Sequence, residues 1–232
     1  MKTILRLNSL SGILALCSQM VMATDIEQID AAANRMNLEQ LHTLSQQSQD
    51  YVQAYANYRL AISANILGQP VVASAALNSA QTDLEALNQV SSNAENLALL
   101  ASVYGMQIGF NPLKASVYGT KFGLTLSQAQ TLEPNNPRVM LIEAISAFNT
   151  PPAYGGSIEN AISLSSKAID LFANPCDNIC WGLAEAYTWR GLAKQSNGDR
   201  QGAIDDWHEA VNIQPDYGWA HFLLEQDKDA SQ

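Results

Sequence analysis

A chain of 232 residues that is 47% hydrophobic carries enough apolar mass for the core of one domain, or two at most. Only 15% of residues are charged, and 22 acidic residues outweigh 12 basic ones, for a formal net charge of −10. That balance excludes non-specific nucleic-acid binding, which depends on Lys and Arg facing phosphates, and docking onto anionic lipid.

The first 23 residues read as an address. Lys2 and Arg6 make a short basic start, Leu10 to Leu16 an apolar stretch, and Val21-Met22-Ala23 a small-residue cleavage site. This is the pattern of a secretory signal peptide cut after Ala23, so the chain is expected to be exported, to the periplasm of a bacterial cell. The apolar stretch is far short of the roughly 20 residues of a membrane span. The competing reading is a lipoprotein anchored through Cys17, although Leu16 stands where a small residue is expected. All 22 acidic residues follow residue 24, so the cut chain carries 10 basic residues against 22 acidic ones.

Residues 24–53 form a polar, helix-prone N-terminal cap whose apolar positions are Ile26, Ile29, Ala33, Met36, Leu41 and Leu44. A first unit follows over 54–87: Ala61, then Ala73 twelve residues on, then Leu77 and Ala80 at steps of four and three. Pro70 fits the first turn of its second helix, where a missing N–H costs nothing. Two longer units occupy 98–136 and 137–175. Gly105 to Phe122 and Ala144 to Ala161 are each seventeen residues, which predicts a five-residue insertion at each turn. The second insertion runs from Asn149 to Ser157, with Pro151, Pro152, Gly155 and Gly156 for a specific turn and Ser157 to cap the next helix.

Cys176 and Cys180 remain once Cys17 leaves with the signal. An even pair in an oxidising compartment is expected to be bridged, pinning the start of the helix that carries Trp181. The spacing is not the Cys-x-x-Cys of a redox site, and no His lies near in sequence to complete a zinc site. The last unit, 184–217, is the clearest. Gly191 and Ala203 are twelve apart, Trp207 follows at four and Ala210 at three, Gly198-Asp199 breaks the helix, and Pro215 ends it. Gly191 and Ala203 let two helices approach closely, with Trp207 filling the gap above them. Residues 218–232 make a short capping helix, placed over Tyr217 to Glu225, and a frayed tail.

Four signals with shared internal spacing indicate tandem repeats. The last unit, with Tyr187, Gly191, Ala203, Trp207 and Pro215 in place, resembles the tetratricopeptide repeat (TPR), a 34-residue helix-turn-helix; Arg190 and Lys194 depart from its pattern. Asn136-Pro137-Arg138-Val139, Thr150-Pro151 and Tyr154-Gly155-Gly156 are similar to a subgroup of bacterial exported TPR proteins. The resemblance spans about 70% of the chain, from Ala54 to Tyr217. It implies an all-α, right-handed solenoid of about four antiparallel helix pairs, with N- and C-terminal capping helices.

In that fold the first helix of each pair lines a concave face. The face takes Tyr55, Tyr58 and Ile62 from the first unit, and Leu99 and Met106 from the second. Arg138, Leu141, Ile145 and Phe148 come from the third, and Glu185, Thr188 and Leu192 from the fourth. The set is apolar and aromatic with few charges, which suits a peptide or an amphipathic helix. Some of these residues would equally serve to pack neighbouring helices. Glu185, Thr188 and Leu192 stand where some family members clamp a C-terminal carboxylate, which argues against that mode.

Signatures of catalysis are absent: no His-Glu-x-x-His, Gly-x-Ser-x-Gly or phosphate-binding loop occurs. His208 beside Asp205, Asp206 and Glu209 is the nearest approach to a metal site, and such i, i+3 pairs are common on solvated helices. The expected function is a non-catalytic scaffold without a cofactor that holds an unidentified protein or peptide partner of the cell envelope, with no nucleic acid. The alternative is a carrier of a small apolar ligand or lipid in the same groove.

Overall fold

The computed structural model describes residues 25–174 and 179–229. The proposed signal segment and Cys176, hence the Cys176–Cys180 bridge, lie outside the described residues. Helices joined by short turns make up the described residues, with no strand among them. In chain order they form α1 (25–34), α2 (Leu38–Gln47), α3 (Asp50–Ile66), α4 (Pro70–Val90), α5 (Ala94–Phe110), α6 (Ala115–Leu132), α7 (Pro137–Asn149), α8 (Ile158–Phe172), α9 (Leu183–Ser196), α10 (Arg200–Ile213) and α11 (Gly218–Asp229). None of these helices is long and apolar enough to cross a membrane.

Local chemistry sets the helix boundaries. Asn37, Asn93, Asn136, Ser157 and Asp199 each turn a side-chain oxygen to an unpaired N–H of the helix that follows. Pro70 and Pro137 occupy the first turns of α4 and α7. Gly68 and Gly198, both at positive φ, turn the chain between α3 and α4 and between α9 and α10. Connections this short force each pair to run antiparallel. The pairs α3/α4, α5/α6, α7/α8 and α9/α10 make the most extensive packing in the molecule. Together they form the TPR-like solenoid, with α1 and α2 before it and α11 after it.

The two expected turn insertions have different outcomes. Between α5 and α6 the extra residues lengthen the helices, and a single 3-10 turn (Pro112–Lys114) runs straight into α6. Gly105 still faces Phe122 across the pair: a Cβ on Gly105 would sit 3.8 Å from that ring. Between α7 and α8 a true loop forms, because Pro151 and Pro152 cannot continue α7. Its 3-10 turn (Pro152–Tyr154) is followed by Gly155 in the left-handed region, and the Ser157 amide is held by the Ala147 carbonyl.

The core of the last pair is built as its spacing requires. Trp207 is fully buried, and a Cβ on Gly191 would overlap its indole. Arg190, where the repeat pattern has Leu, is not a packing residue. It forks onto Asp206 (2.9 and 2.6 Å), and Lys194 reaches the same carboxylate at 2.9 Å. Two departures from the pattern thus share one buried acid. The chain end also differs from expectation. The last helix runs to Asp229, past Glu225, because Asp227 is buried against the Arg200 fork (2.7 and 2.6 Å). Trp181 precedes α9 rather than lying in it. Gly182 between them sits at φ +113, where any side chain would strike the Phe172 ring.

Candidate functional site

The concave face is not an open trough along its whole length. Near the N-terminal ends of α3, α5 and α7 it closes on itself. Trp181, in the segment leading into α9, stacks on Tyr55 at 5.3 Å and donates its indole N–H to the Tyr51 hydroxyl at 2.9 Å. The first repeat and the approach to the fourth therefore touch directly, 130 residues apart in sequence. Arg138 holds the same end. Its fork grips Glu95 of α5 through Nε and Nη2, while Nη1 donates to the Trp181 carbonyl at 3.2 Å. Asn136 adds a 2.6 Å bond to Glu95. Burial would lower the Arg138 pKa; the bond and charge of Glu95 more than reverse this, and the guanidinium stays charged.

Helix α1 closes a second gap. Tyr55 donates to Asp30 at 2.6 Å, and Arg59 lies 3.6 Å from the same carboxylate. At the far end of α1, Asn34 donates to Asp216 at 3.2 Å, and Gly218 packs under the Asn34 carbonyl. Ile26, Ile29, Ala32 and Ala33 enter the same core as Tyr55, Leu99, Leu141 and Trp181. The N-terminal helix thus bridges the first repeat to the turn before α11. Its ionic chemistry is unusual, since Arg59 faces two acids, Asp30 and Glu185. Burial raises the pKa of Asp30, with Arg59 and the Tyr55 hydroxyl pulling the other way. Burial likewise raises Glu185 against the pull of Arg59. For Arg59, burial alone would lower the pKa, but Tyr55, Asp30 and Glu185 outweigh it.

These contacts sort the residues expected to line the groove. Tyr55, Leu99, Leu141 and Thr188 are fully buried, and Arg138 is nearly so. They are core rather than a binding surface, because the solenoid curls tightly enough for its inner face to meet itself. Tyr58, Ile62, Met106, Ile145, Phe148, Glu185 and Leu192 are half-buried. All of these except Tyr58, at the middle of α3, and Glu185 lie nearer the C-terminal ends of their helices, and the face stays more accessible there. Phe148 meets Trp189 edge-on at 5.5 Å, and Trp189 meets Trp219 at 5.0 Å. Trp181, Glu95, Asp30 and Arg59 are the residues that shape the face and that helical spacing did not single out. The one available signal was polar Asp30 and Glu95 interrupting otherwise apolar helix faces.

Two depressions lie elsewhere. One of about 430 Å³ sits between α2, α3 and α4, with Asn57, Asn78 and Asp83 among the polar residues of its wall. The other, of about 290 Å³, lies between α6, α7 and α8 beside the Tyr154 loop. No group of three or more His, Cys, Asp or Glu that could hold a metal occurs among the described residues. His208 is exposed on α10, and its neighbour Asp206 is committed to Arg190 and Lys194.

No family model matches the chain, and no curated protein matches it. Solved structures do. The HusA haemophore from Porphyromonas gingivalis superposes with a TM-score of 0.62 at 21% identity, over 76% of this chain and 92% of that one. YrrB, described as a TPR protein with an unusual peptide-binding site, covers 89% of this chain and 88% of its own at 16% identity, with a TM-score of 0.40. The likeness to HusA is one of fold.

Proposed function

We propose that the chain is a non-catalytic scaffold that binds an apolar segment of a protein partner on the accessible half of its concave face. One observation carries this. Successive first helices leave Ile62, Met106, Ile145, Phe148 and Leu192 partly exposed on the inner side of the solenoid, while the rest of that side is buried more deeply. Partly exposed apolar and aromatic side chains on a rigid frame make anchor positions for a partner's side chains. A formal charge of −10 favours a partner with basic flanks. In this reading residues 1–23 direct export and are removed after Ala23, Cys176 and Cys180 are bridged, and the partner belongs to the cell envelope.

A second reading is favoured by the fold shared with a haemophore: the same aromatic positions hold a small, flat apolar ligand. One experiment separates the two. The chain from Thr24 is used as bait in the native envelope fraction, and in parallel is titrated with haemin followed by absorbance. The protein-binding reading predicts a stoichiometric partner lost in the Met106→Glu/Phe148→Glu double variant, with no saturable haemin spectrum. Saturable haemin binding abolished by that variant, with no protein captured, would establish the carrier instead. Leu141 is unsuitable as a probe, since a charge in its fully buried site would unfold the chain.

A further inference from the structure

The loop between α7 and α8 holds a large aromatic in water on a backbone fixed by hydrogen bonds. Tyr154 is 83% exposed. Its loop is fixed at both ends by backbone bonds: the Tyr154 amide to the Pro151 carbonyl at 2.8 Å and the Ser157 amide to the Ala147 carbonyl at 2.9 Å. Gly156 packs so close to the Thr150 carbonyl that no other residue fits there. The backbone that carries the ring is thus ordered before any ligand arrives, and only the rotation of the side chain remains free.

The ring stands at the rim of the 290 Å³ cleft, whose wall also holds Glu143, Ser146, Thr150 and Asn160. Elsewhere the hydroxyls of Ser102, Thr120, Thr131 and Thr188 are spent on carbonyls one turn back. The side chains of the four cleft residues make no hydrogen bond to another described residue. Burial raises the Glu143 pKa, against the charge of Lys167. The wall thus offers a carboxyl, an amide and two hydroxyls, all unspent, beside an exposed aromatic face. No Lys or Arg lines it, so phosphate and other anions are not matched.

We propose that this cleft is a saccharide-binding site, in which a neutral sugar ring lays its C–H face on Tyr154 and directs its hydroxyls to Glu143, Ser146, Thr150 and Asn160. An aromatic platform supplies contact area at low entropic cost, and the acid and amide fix orientation. The site is separate from the concave face, so its test is independent of the scaffold reading.

The ¹⁵N-labelled chain is titrated with maltose, cellobiose and diacetylchitobiose, and separately with spermidine. The expected result is that at least one sugar shifts the amides of Glu143, Thr150, Tyr154 and Asn160 saturably. Tyr154→Ala should weaken that sugar about tenfold, roughly 1.4 kcal/mol, with Tm unchanged because the ring is exposed. Glu143→Gln, which keeps an acceptor, should retain most of the affinity. No response to any of the three sugars, or full affinity in Tyr154→Ala, would overturn the proposal. So would a response to spermidine alone that Glu143→Gln abolishes, which would make the cleft an amine site.

Discussion

The two ends of the concave face are built from the first helices of the pairs, with the segment before α9 joining them at one end, and have opposite characters. At their N-terminal ends Tyr51, Tyr55, Glu95, Arg138 and Trp181 interlock through an aromatic stack, a guanidinium fork and an indole bond. At the other end Ile62, Met106, Ile145, Phe148 and Leu192 remain partly exposed. The difference shows that an apolar stripe on a repeat protein is not by itself a binding groove. Where the superhelix is tight, the stripe becomes core, and only the part the chain cannot reach itself stays available to a partner.

The largest effect should come from breaking the closed end. Arg138→Ala leaves Glu95 half-buried without its guanidinium partner, and a loss of about 3–5 kcal/mol is expected, read as a lower denaturation midpoint. Paired truncations sharpen the contrast. Leu141→Ala, at a fully buried site, should cost about 2–5 kcal/mol, whereas Leu192→Ala at the accessible end should cost about 1 kcal/mol or less. Equal costs would erase the distinction between the ends. Gly191→Leu probes contact within a pair rather than across the face. Overlap with the Trp207 indole should destabilise by about 1–3 kcal/mol, and a variant that melts unchanged would refute the close-packed pair.

The α1 bridge should show itself through pH. Asp30 has a raised pKa in the folded chain, so the folded state holds a proton that the unfolded state releases near 3.8. The unfolded chain therefore gains as pH climbs from that value through the folded pKa, and this contribution to stability falls with rising pH. Glu185 acts in the same sense from 4.5 upward. Tm measured across the acidic range should fall less steeply in Asp30→Asn than in the parent, a smaller effect than those above. An unchanged slope would mean that α1 does not bury Asp30 as described.

Much of the fold was legible in the sequence, because helix pairing is a local matter. Gly191, Ala203 and Trp207 announce a close-packed pair through small and large residues at fixed steps, and Ser157 and Pro70 mark helix starts. The inner face was legible only in part. Spacing places Tyr55 and Ile62 on one side of α3, but not how sharply successive pairs rotate. The meeting of Tyr55 with Trp181 depends on that rotation, accumulated over four units. The fate of the insertions was half legible: Pro151-Pro152 enforces a loop, whereas five residues around a lone Pro112 simply extend two helices. Arg190 and Lys194 looked like defects in the repeat because their shared partner, Asp206, lies on the opposite helix.

The central claim, one end sealed and the other accessible, is tested most directly by the indole protons of Trp181 and Trp189. Trp181 is buried and bonded to Tyr51, while Trp189 is less deeply buried, with a longer 3.4 Å bond to Glu185. Hydrogen exchange followed by NMR should find the Trp181 indole protected to nearly the level of global unfolding and the Trp189 indole exchanging far faster. Comparable rates at the two sites, or a fast Trp181, would contradict the sealed end.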